Sequence, residues 1–169
     1  MGSFDISLHG IGSGQISNAL GLAVNPENKD IFLTTLSYGG EANLWQFSSN
    51  GNLINSVRVN IDLGPSGNLG SAVVGKDSHL FICASKDMGS DVYKRSIIEL
   101  SQDGNNVFSS FPSDQYTQGG DGIAYKEEND HLFVSSYAEK KVYEISLDGN
   151  LANSFDLPVS KRLFFRYIY

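Results

Sequence analysis

Gly122-Ile123-Ala124-Tyr125-Lys126-Glu127-Glu128-Asn129-Asp130-His131-Leu132-Phe133-Val134-Ser135-Ser136 decides the fold, because the chain has already spelt it once. The earlier spelling runs Gly21-Leu22-Ala23-Val24, then Glu27-Asn28, then Ile31-Phe32-Leu33-Thr34-Thr35. Both keep one order: glycine, an apolar residue, alanine, a Glu-Asn turn, an apolar pair around Phe, and two hydroxyls. Downstream, Gly51-Asn52-Leu53-Ile54-Asn55-Ser56 returns as Gly149-Asn150-Leu151-Ala152-Asn153-Ser154. Two matched blocks in the same order make an internal repeat.

A third copy lies between them. Gly70-Ser71-Ala72-Val73-Val74 replaces the opening, and Leu80-Phe81-Ile82-Cys83 follows the turn Gly75-Lys76-Asp77-Ser78. The period is therefore roughly 50 residues, the range of four-stranded propeller blades. Each copy reads as four strands. The first is short, apolar and rich in small residues (Leu22-Ala23-Val24), as an inner strand crowded at a central axis requires. The second is mostly apolar. The third alternates, as in Leu44-Trp45-Gln46-Phe47 and Val142-Tyr143-Glu144-Ile145, the period of a strand with two unlike faces. Asn50-Gly51, Asp103-Gly104 and Asp148-Gly149 predict type I′ turns into a fourth strand. Nowhere do ten residues show helical spacing with a cap, so no α-helix is expected.

The expected fold is all-β: about three four-stranded antiparallel β-propeller blades, near 18–60, 66–112 and 118–158, forming an incomplete ring or half-propeller. Closed propellers use about four to eight blades. Residues 159–169 show no new Gly-x-Ala opening and read as a tail or incomplete strand. Three explanations stand: a fragment, a half-ring that pairs with a second copy, or a divergent last strand closing on Phe4-Asp5-Ile6-Ser7-Leu8. Open blade edges would in either of the first two cases favour self-association.

Bulk properties narrow the function. The chain carries 12 basic against 19 acidic residues, a net charge of -7, which opposes non-specific attraction to nucleic acid or anionic membrane. No basic segment followed by an apolar stretch marks a signal peptide, and no run approaches the roughly 18 apolar residues of a membrane span. Compartment is not readable. The lone cysteine, Cys83, sits in an apolar run and reads as a small core residue. His79 and His131 precede second strands at matching positions, which marks a repeat position. No zinc spacing, nucleophile elbow or phosphate cradle occurs, and no residue is assigned a catalytic role.

The repeat resembles the NHL-type and SBBP-type β-propeller families. The resemblance is carried by the Gly-Leu-Ala-Val opening, Leu44-Trp45-Gln46-Phe47-Ser48-Ser49-Asn50-Gly51-Asn52-Leu53, and the third copy through Leu151, over residues 18 to 157. It implies a binding platform or scaffold engaging a protein or glycan, and fold alone supplies no activity. In such a fold, loops entering the inner strand share one face with loops joining the second and third strands. That face gathers Asn18, Asn68 and Asp121, with Asp62 and Asp114 further out. Such oxygens could hold Ca²⁺, which takes about six to eight oxygen ligands. Resemblance to calcium-dependent gluconolactonase and regucalcin propellers makes a hydrolase the alternative reading. The plainer reading is that Asn and Asp start turns by bonding their own backbone. The same rim would carry Tyr38, Glu41, Asp91, Tyr93 and Tyr137, an aromatic, polar-tipped surface suited to a partner.

Overall fold

The computed structural model describes residues 16–37, 42–116 and 122–158. The first sheet holds β1 (Ile16–Val24), β2 (Ile31–Ser37), β3 (Ala42–Phe47) and β4 (Leu53–Arg58). The second holds β5 (Asn68–Val74), β6 (Leu80–Asp87), β7 (Tyr93–Leu100) and β8 (Val107–Pro112). The third holds β9 (Ile123–Lys126), β10 (His131–Ser136), β11 (Lys141–Ser146) and β12 (Leu151–Asp156). Each is a four-stranded antiparallel meander in sequence order. The described residues contain no α-helix. The chain is all-β, built of three propeller-like blades.

The blades stand side by side through their first strands. β1 lies along β5, and β5 along β9. Gly21 makes the first approach possible: a Cβ there would lie 2.2 Å from the Gly70 carbonyl oxygen, so any other residue would force the blades apart. The Thr34 hydroxyl donates to that same carbonyl at 2.7 Å, tying the seam with a fully buried hydrogen bond. The inner strand of the first blade is longer than its apolar core implies, because pairing with β2 continues through two irregularities back to Ile16.

Side chains alternate between a front face, toward the next blade, and a back face. Phe32, Leu44 and Val57 of the first blade pack forward onto Val74, Leu80, Ile82 and Ile98 of the second. Phe81, Ile97 and Phe111 of the second pack forward onto Leu132, Val134, Tyr143 and Ile145 of the third. Leu33, Trp45 and Phe47 on the first blade's back face form a separate cluster with Ile31. Trp45 is core, as its place in the repeat indicates; its indole N–H donates to Thr35 Oγ1 at 3.0 Å. Each seam thus joins unlike faces in the same sense.

The turns before the fourth strands differ from expectation. Gly51, Gly104 and Gly149 have φ of 81°, 72° and 86°, while Asn50, Asp103 and Asp148 are absent from the positive-φ residues. Gly51 N–H donates to Ser48 O at 2.9 Å and Ser48 N–H to Asn52 O at 2.8 Å; the third blade repeats this closure at Ser146, while in the second Ser101 N–H reaches one residue further, to Asn106 O at 3.0 Å. This is a type I turn followed by a glycine bulge, not type I′. The serine explains the preference. Ser101 Oγ donates to Asp103 Oδ1 at 2.5 Å and accepts from Asn106 N–H at 3.0 Å, so side chains brace the longer loop. The extra residue appears as the register shift at Gln46/Phe47, Glu99/Leu100 and Glu144/Ile145. Positive φ at both central residues occurs instead without glycine, at Asp77-Ser78 and Ser90-Asp91.

Candidate functional site

Every blade has two ends. One is the rim, where second strands turn into third strands and chains arrive at first strands. The other carries the turns from first to second strands.

At the rim, the β6–β7 hairpin is closed by Met88 N–H to Val92 O at 2.8 Å and Val92 N–H to Gly89 O at 3.1 Å. Asp87 Oδ1 accepts the Gly89 N–H at 2.7 Å, and Asp91, at φ 61°, is a turn residue facing water. The closed tip holds Met88, Val92 and Tyr93 outward, at 49%, 54% and 38% exposure. On the next blade Tyr137 opens the β10–β11 turn and is 80% exposed. That turn is held from beneath by Ser136 Oγ, which accepts Glu139 N–H at 3.3 Å, and by Leu157 N–H to Lys140 O at 2.7 Å. Neighbouring blades therefore offer apolar and aromatic side chains on rigid supports. Tyr38 and Glu41 lie outside the described residues.

The acids of the connections are already engaged. Asp62 accepts from Lys86 Nζ at 2.5 Å and from Gly64 N–H at 3.1 Å. The Lys86 hydrogen bond, then that of Gly64, holds its carboxyl below the usual range. Asp114 Oδ1 accepts Arg95 N–H at 2.8 Å. Both act as turn and strand-end acceptors. Asn18 and Asn68 stand at the rim ends of the adjacent strands β1 and β5, paired with Leu36 and Ser85. Asp121 lies outside the described residues. Among the described residues no group of three or more His, Cys, Asp or Glu is placed to hold a metal.

The opposite end holds a cleft that the sequence reading passed over. It has a volume of about 780 Å³ and is lined by the three first-to-second-strand turns, Pro26-Glu27, Val74 to Ser78, and Tyr125 with Glu127 and Asp130. Asp130 organises it: Oδ1 accepts the Tyr125 hydroxyl at 2.5 Å and Oδ2 accepts Lys76 Nζ at 2.9 Å. These donors hold the Asp130 carboxyl below its ordinary range, the Tyr125 hydroxyl first. Burial, with the Asp130 carboxylate beside it, pushes the Tyr125 phenol up to about 12. The phenol is a donor at neutral pH, not a base. Tyr125 stacks on Phe81 with ring centroids 6.4 Å apart, and Gly75 leaves room: a Cβ there would meet the Phe81 ring at 2.7 Å. Ser78 Oγ donates to Glu27 Oε2 at 3.3 Å. Lys76–Asp130 and Ser78–Glu27 each join two blades, so the polar groups brace the seams. The legible signal was the alignment of Pro26-Glu27, Lys76-Asp77 and Glu127-Glu128 at one repeat position.

The histidines form a second series. His79 Nδ1 lies 2.6 Å from Glu99 Oε1, and His131 Nδ1 lies 2.8 Å from Glu144 Oε1. In the first blade Gln46 Nε2 donates to Asp30 Oδ2 at 2.8 Å, the same clasp in other chemistry. His131, then Asn129, holds the Glu144 carboxyl below its usual range. These are cross-strand pairs at one repeat position.

No protein-family model matches the chain, and no curated protein does. Among solved structures it is similar to a protein of unknown function from Bacteroides caccae, at 16% identity and a TM-score of 0.53. The match covers 83% of this chain and 46% of that one, so this chain spans about half that structure's length. The likeness bears on fold alone.

Proposed function

We propose that this chain is a segment of an NHL- or SBBP-like propeller that binds a partner through its rim, without chemistry of its own. The observation that carries this reading is the pairing of Tyr137, at 80% exposure, with Met88 and Val92 on the next blade, all on braced turns. Large apolar side chains held outward on rigid supports lose little entropy on binding, and their burial supplies affinity. Met88 and Val92 offer nothing to sugar hydroxyls, which favours a protein over a glycan. The Gly-x-Ala openings and Asp-Gly or Asn-Gly turns support the family reading. The carboxylates Asp62 and Asp114, spent on Lys86 and on backbone N–H groups, favour the scaffold over the calcium-dependent hydrolase.

The test is affinity capture with the parent chain and a Val92→Ser/Tyr137→Ser variant of equal fold content. A protein retained by the parent and reduced at least about tenfold with the variant supports the reading. Equal capture by both, or retention of oligosaccharides alone on a glycan array, would overturn it.

A further inference from the structure

The hairpins before the three fourth strands are spelt alike except at one position that bears on chemistry. Ser48-Ser49-Asn50-Gly51-Asn52 in the first blade stands where the second has Ser101-Gln102-Asp103-Gly104-Asn105 and the third Ser146-Leu147-Asp148-Gly149-Asn150. Both aspartates are braced. Asp103 Oδ1 accepts from Ser101 Oγ at 2.5 Å and from Asn105 N–H at 3.1 Å, and its Oδ2 accepts from Asn105 Nδ2 at 2.9 Å. Asp148 accepts from Ser146 Oγ and, at 2.8 Å, from Asn150 Nδ2. The Ser101 hydroxyl first, then Asn105, holds the Asp103 carboxyl below its ordinary range, and Ser146 leads the same lowering at Asp148. Asn50 differs. Its side chain is exposed and makes no hydrogen bond among the described residues, while Ser48 Oγ accepts the Asn52 N–H at 3.1 Å. Asn50-Gly51 is also the chain's one Asn-Gly pair.

We propose that Asn50 is a deamidation site, and that the first blade receives the aspartate product as a third copy of the clasp around Asp103 and Asp148. Glycine at 51 carries no Cβ to screen the preceding side chain, so its peptide nitrogen can approach the amide. Gly51 N, having lost its proton to hydroxide, bonds to Asn50 Cγ; the Cγ–Nδ2 bond breaks and the amide nitrogen leaves as ammonia. Water then opens the cyclic imide. Cleavage at the Cγ–N bond restores the backbone with aspartate at 50, and cleavage at the main-chain carbonyl leaves an isoaspartyl link one carbon longer. The net change either way is asparagine plus water to acid plus ammonia. The hydrogen bond from Gly51 N–H to Ser48 O, at 2.9 Å, has to open first, so the folded hairpin slows the step. Its place on an exposed surface turn lets that opening occur without global unfolding. The aspartate keeps the hairpin's backbone, and Ser48 and Asn52 stand at the positions from which Ser101 and Asn105 donate. At the other two hairpins an ionised carboxylate is a poor electrophile, so the reaction is confined to the first blade. Each event adds one negative charge to a net charge of -7.

The experiment incubates the 169-residue chain at mildly alkaline pH, folded and separately in urea, and follows its peptides by mass spectrometry. In the folded chain Asn50 is expected to convert at least about tenfold faster than any other asparagine, since it alone precedes a residue without a Cβ. Asn50→Gln, whose longer side chain has to close a larger ring, should abolish the conversion. The product is tested directly: Asn50→Asp should melt at or above the parent, and Ser48→Ala in that background should lower the midpoint again. An Asn50 unchanged in the folded chain would overturn the proposal, whatever happens in urea. So would equal conversion of Asn50 and the other asparagines, or an Asn50→Asp chain that melts well below the parent, which would mean that the first blade rejects the aspartate.

Discussion

The second and third blades share a sheet order, a hairpin chemistry and a histidine-glutamate clasp, yet differ in what surrounds them. The second blade has a neighbour on both faces, and Phe81, Ile82, Ile97 and Leu100 are fully buried. The third has one covered face, where Leu132, Val134 and Ile145 are fully buried, and one face on which Phe155 stays about half exposed. The same repeat position thus carries different weight in different copies. In such arrays stability is close to a sum of unit and nearest-neighbour terms. The residue type is written by the repeat, and its energetic role by the seam.

The sharpest way to break that comparison is to cut the same side chain from both blades. Phe81→Ala should cost about 3–5 kcal/mol, the range for a large buried ring. Phe133→Ala should cost about 1–2 kcal/mol, since part of its surface is already wet. Urea unfolding measures both, and equal costs would remove the distinction between covered and open faces.

Next in size are the glycines. Gly149, at φ +86°, is seated against the second blade, and a Cβ would lie 2.6 Å from the Phe111 ring. Gly149→Ala should cost roughly 2–4 kcal/mol, combining left-handed strain with overpacking. Gly89, at φ +84° on the rim, has nothing within 4 Å of such a Cβ. Gly89→Ala should cost only the backbone strain, about 1–2 kcal/mol.

A smaller effect tests the hydrogen bond from Tyr125 to Asp130 within the third blade's first turn. Tyr125 has its folded pKa raised to about 12, above the ordinary phenol value near 10. The stability this supplies is complete below the unfolded value and is lost as pH rises toward the folded one. Asp130 works in the opposite sense: its carboxyl is depressed, so its contribution is present above the ordinary carboxylate range and lost as pH falls through the lowered value. Asp130→Asn should bring the Tyr125 titration, followed by absorbance at alkaline pH against a Tyr125→Phe control, back toward the ordinary value. An unmoved titration would mean that burial alone raises it.

The smallest expected effect is that of calcium. Millimolar calcium should leave thermal melting unchanged, because Asp62 and Asp114 already serve Lys86 and backbone donors. A rise of several degrees, the mark of a ligand bound by the folded state, would restore Asn18, Asn68 and Asp121 as a metal set.

The fold was legible because blades recur: Gly21, Gly70 and Gly122 mark inner strands, and Phe32, Phe81 and Phe133 mark second strands, whatever the surroundings. The turn type was less legible, since Asp-Gly serves both two-residue hairpins and bulged ones. Ser48, Ser101 and Ser146, whose hydroxyls span the loop, were the deciding residues. The cleft went unseen for a different reason. Glu27, Lys76, Tyr125 and Asp130 come from three blades, and their meeting depends on how blades stack, which no single repeat encodes.

Cys83 takes the place in the second blade that Thr34 and Ser135 hold in the others, and it lies 5% exposed against Phe81, Ile97 and the third blade. A thiol so placed can be alkylated only when that seam parts. Its modification rate, measured against reagent concentration, is therefore a clock for the rarest breathing motion of the second and third blades, and it requires no label and no substitution.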